Sequence, residues 1–299
     1  MKRALGFAVL VVSVALVAAT LVPPEAPAEG KHFRPLLPRA SLLRVGGRAF
    51  LSLVADYYWL QTIQLTGRAK TAEEYRDIAD YAQLVTDLDP DFAYVYQFGS
   101  VVVPFNYGRE TWVNTAESTA LLEKALARVA AKPGTFSPAT YLFLRILLAY
   151  NYSVFQKEYA RAAHLLEETA RLPGAPPYLP FLTTRLYAQA GSFDAADAFA
   201  TQFATAAADP DTRAAFERRK DEIALERILR TLDEAVASYR QREGRLPAQL
   251  VELVSSGLVP AVPEDPLGGR IYLGEDGRTY STSQEHRLQV YEPLKDEKR

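Results

Sequence analysis

The sequence predicts a mostly α fold, an array of helical repeats closed at its C-terminal end by a small helix plus a β-hairpin. Three observations predict it. From Ala40 onward, apolar residues recur at steps of three and four, the mark of helices with one buried face. One set of positions returns after 34 residues: Tyr159, Ala162 and Leu166 come back as Phe193, Ala196 and Ala200. After residue 242 the texture changes to prolines, glycines and short alternating runs around an Asp-Gly pair.

The 299 residues suffice for one large or two ordinary domains, and 48% hydrophobic with 23% charged residues is the usage of a folded protein. A net charge of −2 leaves no basic field for nucleic acid. The absence of cysteine removes disulfides, thiolate metal sites, cysteine nucleophiles and a lipoprotein anchor together. His32, His164 and His286 are far apart, and none is at ligand spacing with another. Gly-x-Ser-x-Gly, Walker-type and His-Glu-x-x-His patterns are missing. No enzyme activity, cofactor or metal is therefore expected. Asp56, beside Tyr57, Tyr58 and Trp59, reads either as a carboxylate with a raised pKa or as an ordinary residue flanking an aromatic core face.

Residues 1–22 read as a membrane-directing segment. Lys2 and Arg3 precede the uncharged run Leu5–Val22, which as a helix spans about 27 Å against a hydrocarbon core of about 30 Å. It is either an uncleaved anchor or a cleaved signal, with Ala26-Pro27-Ala28 and Val17-Ala18-Ala19 as imperfect cleavage sites, or else a buried core helix. The body is expected in the cell envelope, on the periplasmic side of an inner membrane. Lys31, Arg34, Arg39, Arg44 and Arg48 pull the other way under a strict positive-inside count. That basic stretch, partly within the linker 23–39, either lies on anionic headgroups or is a solvated connection.

A helical-repeat domain is placed at 40–242. Ala40–Thr66 reads as one long helix carrying Leu43, Phe50, Leu53, Val54, Tyr57, Tyr58, Leu60 and Ile63, closed by Gly67 as a C′ glycine. Thr71 with Glu74 forms a capping box for a helix that carries Tyr75, Ile78, Ala82 and Val85 and stops before Asp89-Pro90. A further pair is expected over Phe92–Val103 and Thr111–Ala131, its spacing stretched by about ten extra residues. Asp209–Arg242 is a long, charge-rich capping helix with an apolar stripe of Phe216, Ile223, Leu225, Ile228, Leu232, Val236 and Tyr239, ended by Gly244.

Residues 70–210 resemble the tetratricopeptide repeat, a 34-residue helix-turn-helix unit. Tyr159, Ala162, Phe193 and Ala196 stand at its packing positions, with Pro173 and Pro210 near its last. Tyr75, Ile78, Ala82 and Pro90 repeat its internal offsets, and residues 122–133 look like its second helix. The resemblance implies a right-handed solenoid whose first helices line a concave groove. Tyr94, Tyr141, Asn151 and Arg185 are then the groove candidates, while Phe98 and Tyr150 are expected in the core.

Residues 243–285 read as a small α+β module: a helix over residues 246–256, a strand Arg270–Leu273, a turn at Glu275–Arg278 and a return strand from Thr279. Asp265-Pro266-Leu267-Gly268, Tyr272 and Tyr280-Ser281 resemble the C-terminal half of type II secretion major pseudopilins. The hydrophobic helix that precedes this segment in that family lies more than 200 residues upstream here, and no prepilin cleavage glycine is present. The segment therefore reads as a module, with a plain helix-plus-hairpin cap as the other reading. The resemblance makes Asp265 a calcium candidate, but Glu264, Asp265 and Asp276 offer few of the six or more oxygens calcium takes. Residues 286–299 are expected to be a charged tail, frayed over Glu292–Arg299.

The expected function is a non-enzymatic scaffold or assembly factor of the bacterial cell envelope, serving pilus, secretion or transport machinery. It would hold an envelope protein or peptide in the repeat groove and meet the membrane through its N-terminal segment. The alternative is a fixed subunit of a membrane complex with no free groove.

Overall fold

The computed structural model describes residues 32–46, 50–108 and 111–289. The expectations for residues 1–22 lie outside the described residues. Among those described, no helix is long and apolar enough to cross a membrane.

The chain is mostly helical, with two small antiparallel hairpins. The expected helix over 40–66 is two: α1 (Ala40–Gly46) and α2 (Leu51–Thr66). Phe50, at φ −125° and ψ 14°, is non-helical and opens α2. Gly67 follows α2 with φ −67°, so it does not take the left-handed cap expected of it. α3 (Ala72–Leu88) opens on the expected capping box: Glu74 N–H donates to Thr71 Oγ1 at 3.3 Å, and Thr71 N–H donates to the Glu74 carboxylate at 3.0 Å.

After α4 (Ala93–Val102), the ten extra residues become a hairpin, β1 (Phe105–Asn106) paired with β2 (Trp112–Val113). It ends on Asn114, left-handed at φ 59°, whose side-chain amide donates to Ala72 O at 2.7 Å. There follow α5 (Thr115–Ala131), α6 (Pro138–Tyr150), a π-helical turn (Asn151–Phe155), α7 (Tyr159–Ala170), α8 (Leu179–Gln189) and α9 (Phe193–Ala206). α10 (Pro210–Glu243) runs between an Asp209 N-cap and a left-handed Gly244, as its sequence dictates. α11 (Val251–Ser255) and the hairpin β3 (Ile271–Leu273)–β4 (Thr279–Ser281) complete the described chain.

From α2 through α10 each helix packs against its neighbours in sequence, while α1 meets α3, α3 meets α5, α4 meets α6 and α8 meets α10 across one element. The main core draws on residues from Tyr96 to Ile223 together with Leu288, with Ala162 and Ala196 at 0% exposure in the helix crossings. Tyr159 and Phe193 pack into the same core. Ala196→Leu is expected to destabilise the fold by about 1–3 kcal/mol, because the crossing has no room for three more carbons. A shift in the urea midpoint at unchanged slope checks it.

Both termini of the described chain are tied down more than expected. Residues 32–39, largely exposed and without regular structure, are tethered to α3: His32 bonds Asp77 at 2.6 Å and Arg34 makes two bonds to Asp80. The start of the charged tail packs on the fold: Leu288 is buried in the main core, and Arg287 enters a buried ion-pair network, while the frayed stretch expected at 292–299 lies outside the described residues.

The apolar stripe expected on the first helix is only half used. Ala55, Tyr58, Trp59 and Thr62 face inward from α2, whereas Phe50, Leu53, Leu60 and Ile63 are exposed.

Candidate partner-binding surface

Of the four groove candidates, two keep side-chain surface available and two are largely spent on structure. Tyr94, at the start of α4, is exposed and stands edge-on to Trp59 with ring centroids 5.6 Å apart. Tyr141 on α6 accepts a hydrogen bond from Arg145 Nη1 at 2.8 Å. That guanidinium also reaches Thr169 at 2.8 Å and Glu168 at 2.5 Å, so Tyr141 belongs to a polar clamp between α6 and α7.

Asn151 corrects its expected place. It is 1% exposed and donates its amide to Ser118 Oγ at 2.9 Å and Thr119 Oγ1 at 3.2 Å. A buried amide must find partners inside the fold, and Asn151 finds them on α5. Arg185 on α8 is half-buried, and its Nε lacks a hydrogen-bond partner. One turn before it, Phe181 carries the guanidinium of Arg219 over its ring at 5.1 Å. Arg219 Nε also lacks a partner, although Glu222 pairs with its Nη1 at 3.1 Å. Burial, and then the charge of Arg185, holds Arg219 below its usual pKa. Among the described residues, no ring contact or hydrogen bond joins any two of the four candidates.

The structure assembles a different exposed cluster. Trp112 of β2 lies 5.4 Å from Phe155 in the π-turn, and Phe155 lies 5.5 Å from Tyr150, edge to face. Tyr107, just beyond β1, packs edge-on against Phe105 at 5.1 Å, and Phe105 meets Tyr75 of α3 at 5.0 Å. Tyr107, Trp112 and Tyr150 are 59%, 40% and 46% exposed. Tyr150, expected in the core, is thus on the surface.

Two irregular pieces of backbone make this arrangement. The hairpin carries Trp112 outward. The π-turn, closed by Gln156 N–H to Asn151 O at 3.1 Å, rotates Phe155 toward it and leaves Lys157 left-handed at φ 59°. Trp112 and Phe155 were missed because neither lies at a repeat position. The ten-residue interruption of the spacing was the signal that could have found Trp112.

The C-terminal module shows what Asp265 does. Its carboxylate accepts from Leu267 N–H at 2.7 Å, Gly269 N–H at 3.1 Å, Ser283 Oγ at 2.6 Å and Ser281 Oγ. Burial opposes its charge, but the two serines and the two backbone donors outweigh that and hold the pKa below the usual value. Four donors already point at these oxygens, so Asp265 ties the loop to β4 and does not fit the calcium reading. Among the described residues, no group of three or more His, Cys, Asp or Glu is placed to hold a metal. Asp56 is exposed on α2.

Glu252 closes the turn before α11. It accepts from Tyr239 Oη at 2.6 Å, Ala248 N–H at 2.8 Å and Arg245 Nη2 at 2.9 Å, which holds its pKa at about 2. A depressed carboxylate contributes stability at neutral pH that fades only as the pH falls toward that folded value. In a carboxyl-carbon NMR titration, Glu252 is expected to titrate near 2 while ordinary glutamates titrate near 4.5.

A scan against protein-family models finds no match, and searches of curated proteins and of solved structures find no similar chain.

Proposed function

We propose that this chain is a non-enzymatic protein-binding scaffold or assembly factor of a bacterial cell envelope. In this reading the helices stack as a right-handed solenoid of the tetratricopeptide kind. The end module has the build of a major pseudopilin's C-terminal half. Succession packing of α2 through α10, with small Ala162 and Ala196 at the crossings, supports the stacked arrangement.

The observation that carries the binding reading is the exposed pair Trp112 and Tyr150 around Phe155, with exposed Tyr107 against Phe105 on the same hairpin. Surface tryptophan and tyrosine combine a large apolar area with a polar tip and dominate protein-binding hot spots. Here they sit on an inserted hairpin and an irregular turn, outside the repeat framework. Exposed Tyr94 is a secondary contact point.

The test is site-specific photo-cross-linking of the full chain in cells. A photoreactive residue at Trp112 or Tyr150 is expected to give one discrete adduct with an envelope protein, and Phe155→Ala is expected to remove it. No adduct from either position overturns the reading. The fixed-subunit alternative, favoured by the exposed apolar side of α2, predicts equally strong adducts from Leu53, Leu60 and Val251 as well.

A further inference from the structure

Twelve large aliphatic or phenylalanine side chains are exposed among the described residues, and eight of them lie between residues 33 and 63. Phe33, Leu36, Leu42 and Val45 lead into α2, whose outer side adds Phe50, Leu53, Leu60 and Ile63. On α2, Leu53 and Leu60 are two turns apart and so share one side, opposite the inward Ala55, Tyr58 and Thr62. α2 thus carries large apolar residues on its outer side as well as its inner one, with Asp56 and Gln64 interspersed. α3 covers the inner side of α2. The other end of the molecule shows the contrast, because there α10 presents charged residues outward along its length. Terminal units of helical arrays need such a polar outer face in water, and here large apolar side chains take up much of that face.

We propose that this apolar end lies in the interfacial layer of an anionic lipid bilayer. Three features select lipid over a protein cover. Between Lys31 and Ala55 the chain holds five cationic residues and no acid, and cationic residues beside leucine and phenylalanine are the composition of interface-lying segments. The uncharged run Leu5–Val22 ends ten residues before His32. Extended, ten residues reach at most about 36 Å, so a run lodged in the bilayer holds this face at its surface. Asp56 and Gln64, exposed beside Leu53 and Leu60, set the depth at the headgroup boundary, where a carboxylate keeps its water. Arg34 and Arg44 keep their bonds to α3 in this arrangement, at Asp80 and at Asp87 O, while remaining exposed. The surface is separate from the aromatic cluster at the hairpin, so either reading can fail without the other.

The chain has no cysteine, so single labels are clean. The full chain carrying Leu53→Cys or Leu60→Cys, labelled with a small environment-sensitive fluorophore, is placed in vesicles of phosphatidylcholine and phosphatidylglycerol. Glu264→Cys in the exposed C-terminal loop is the reference. Both changed leucines are exposed, and an unaltered far-ultraviolet circular dichroism spectrum checks the fold. Spin-labelled lipid is expected to quench positions 53 and 60 several-fold more than position 264, and aqueous iodide the reverse. Iodide reaching all three equally overturns the proposal. So does shielding of 53 and 60 from both quenchers, which would put a protein cover there: the chain's own first 22 residues or a second copy.

Discussion

Arg287→Met is expected to destabilise the fold by about 3–5 kcal/mol, because it leaves a buried carboxylate without its counter-charge. Arg287 is 6% exposed at its side chain and Glu226 is 2%. The guanidinium donates to Glu226 through Nε at 3.1 Å and Nη2 at 2.8 Å, and to Asp233 through Nη1. Asp233 in turn accepts from the backbone N–H and the hydroxyl of Thr279, both at 2.7 Å, so one cation ties α10, β4 and the segment after it. Burial works against the charge of Arg287, and Glu226 followed by Asp233 more than offsets it, holding the pKa above its usual value. The measurement is equilibrium unfolding in urea, comparing Arg287→Met with the double variant Arg287→Met, Glu226→Leu. The double variant is expected to recover most of the loss, since an apolar pair of similar volume needs no counter-charge. A single-variant loss under 1 kcal/mol would show that water reaches Glu226 and that the network is not buried in solution.

Tyr96→Ala is expected to cost about 3–5 kcal/mol, the range for removing a fully buried aromatic side chain. Tyr96 is 0% exposed, with its ring 5.8 Å from Phe136 and its hydroxyl donating to Pro90 O at 3.2 Å. Burial pushes its phenol up to about 12. Tyr96→Phe removes only the hydroxyl bond, worth about 1 kcal/mol, so the difference between the two variants reports the packing alone. Thermal and denaturant unfolding check both. Equal effects from the two variants would mean that the ring does not support the α4–α5–α6 core. The neighbouring Tyr94 is exposed, so Tyr94→Ala is expected to leave stability nearly unchanged.

These two tyrosines show where sequence reasoning reached its limit. Phe92, Tyr94, Tyr96 and Phe98 read as one aromatic run, and local spacing puts a helix there. Which tyrosine is core depends on how α4 is rotated against α5 and α6, and distant residues set that. Asn151 fails for the same reason. Its amide is satisfied by Ser118 and Thr119, more than thirty residues away. Trp112 and Phe155 meet only because a hairpin and a π-turn bring them together, and neither irregularity has a strong local signature.

The sequence by itself determined the elements whose signals are local. The Thr71–Glu74 capping box, the Asp209 cap and Gly244 stop of α10, the stop at Asp89-Pro90 and the hairpin around Asp276-Gly277 lie close to where their residues place them. Alanines 162 and 196 at buried crossings were legible from the 34-residue spacing. Tertiary structure alone decided which apolar faces stay bare, which aromatics are available, and that residues 286–289 are locked to α10. The physical reason is range. Caps and turns are satisfied within four or five residues, whereas burial and ion pairing depend on partners thirty to sixty residues away, which no local pattern records.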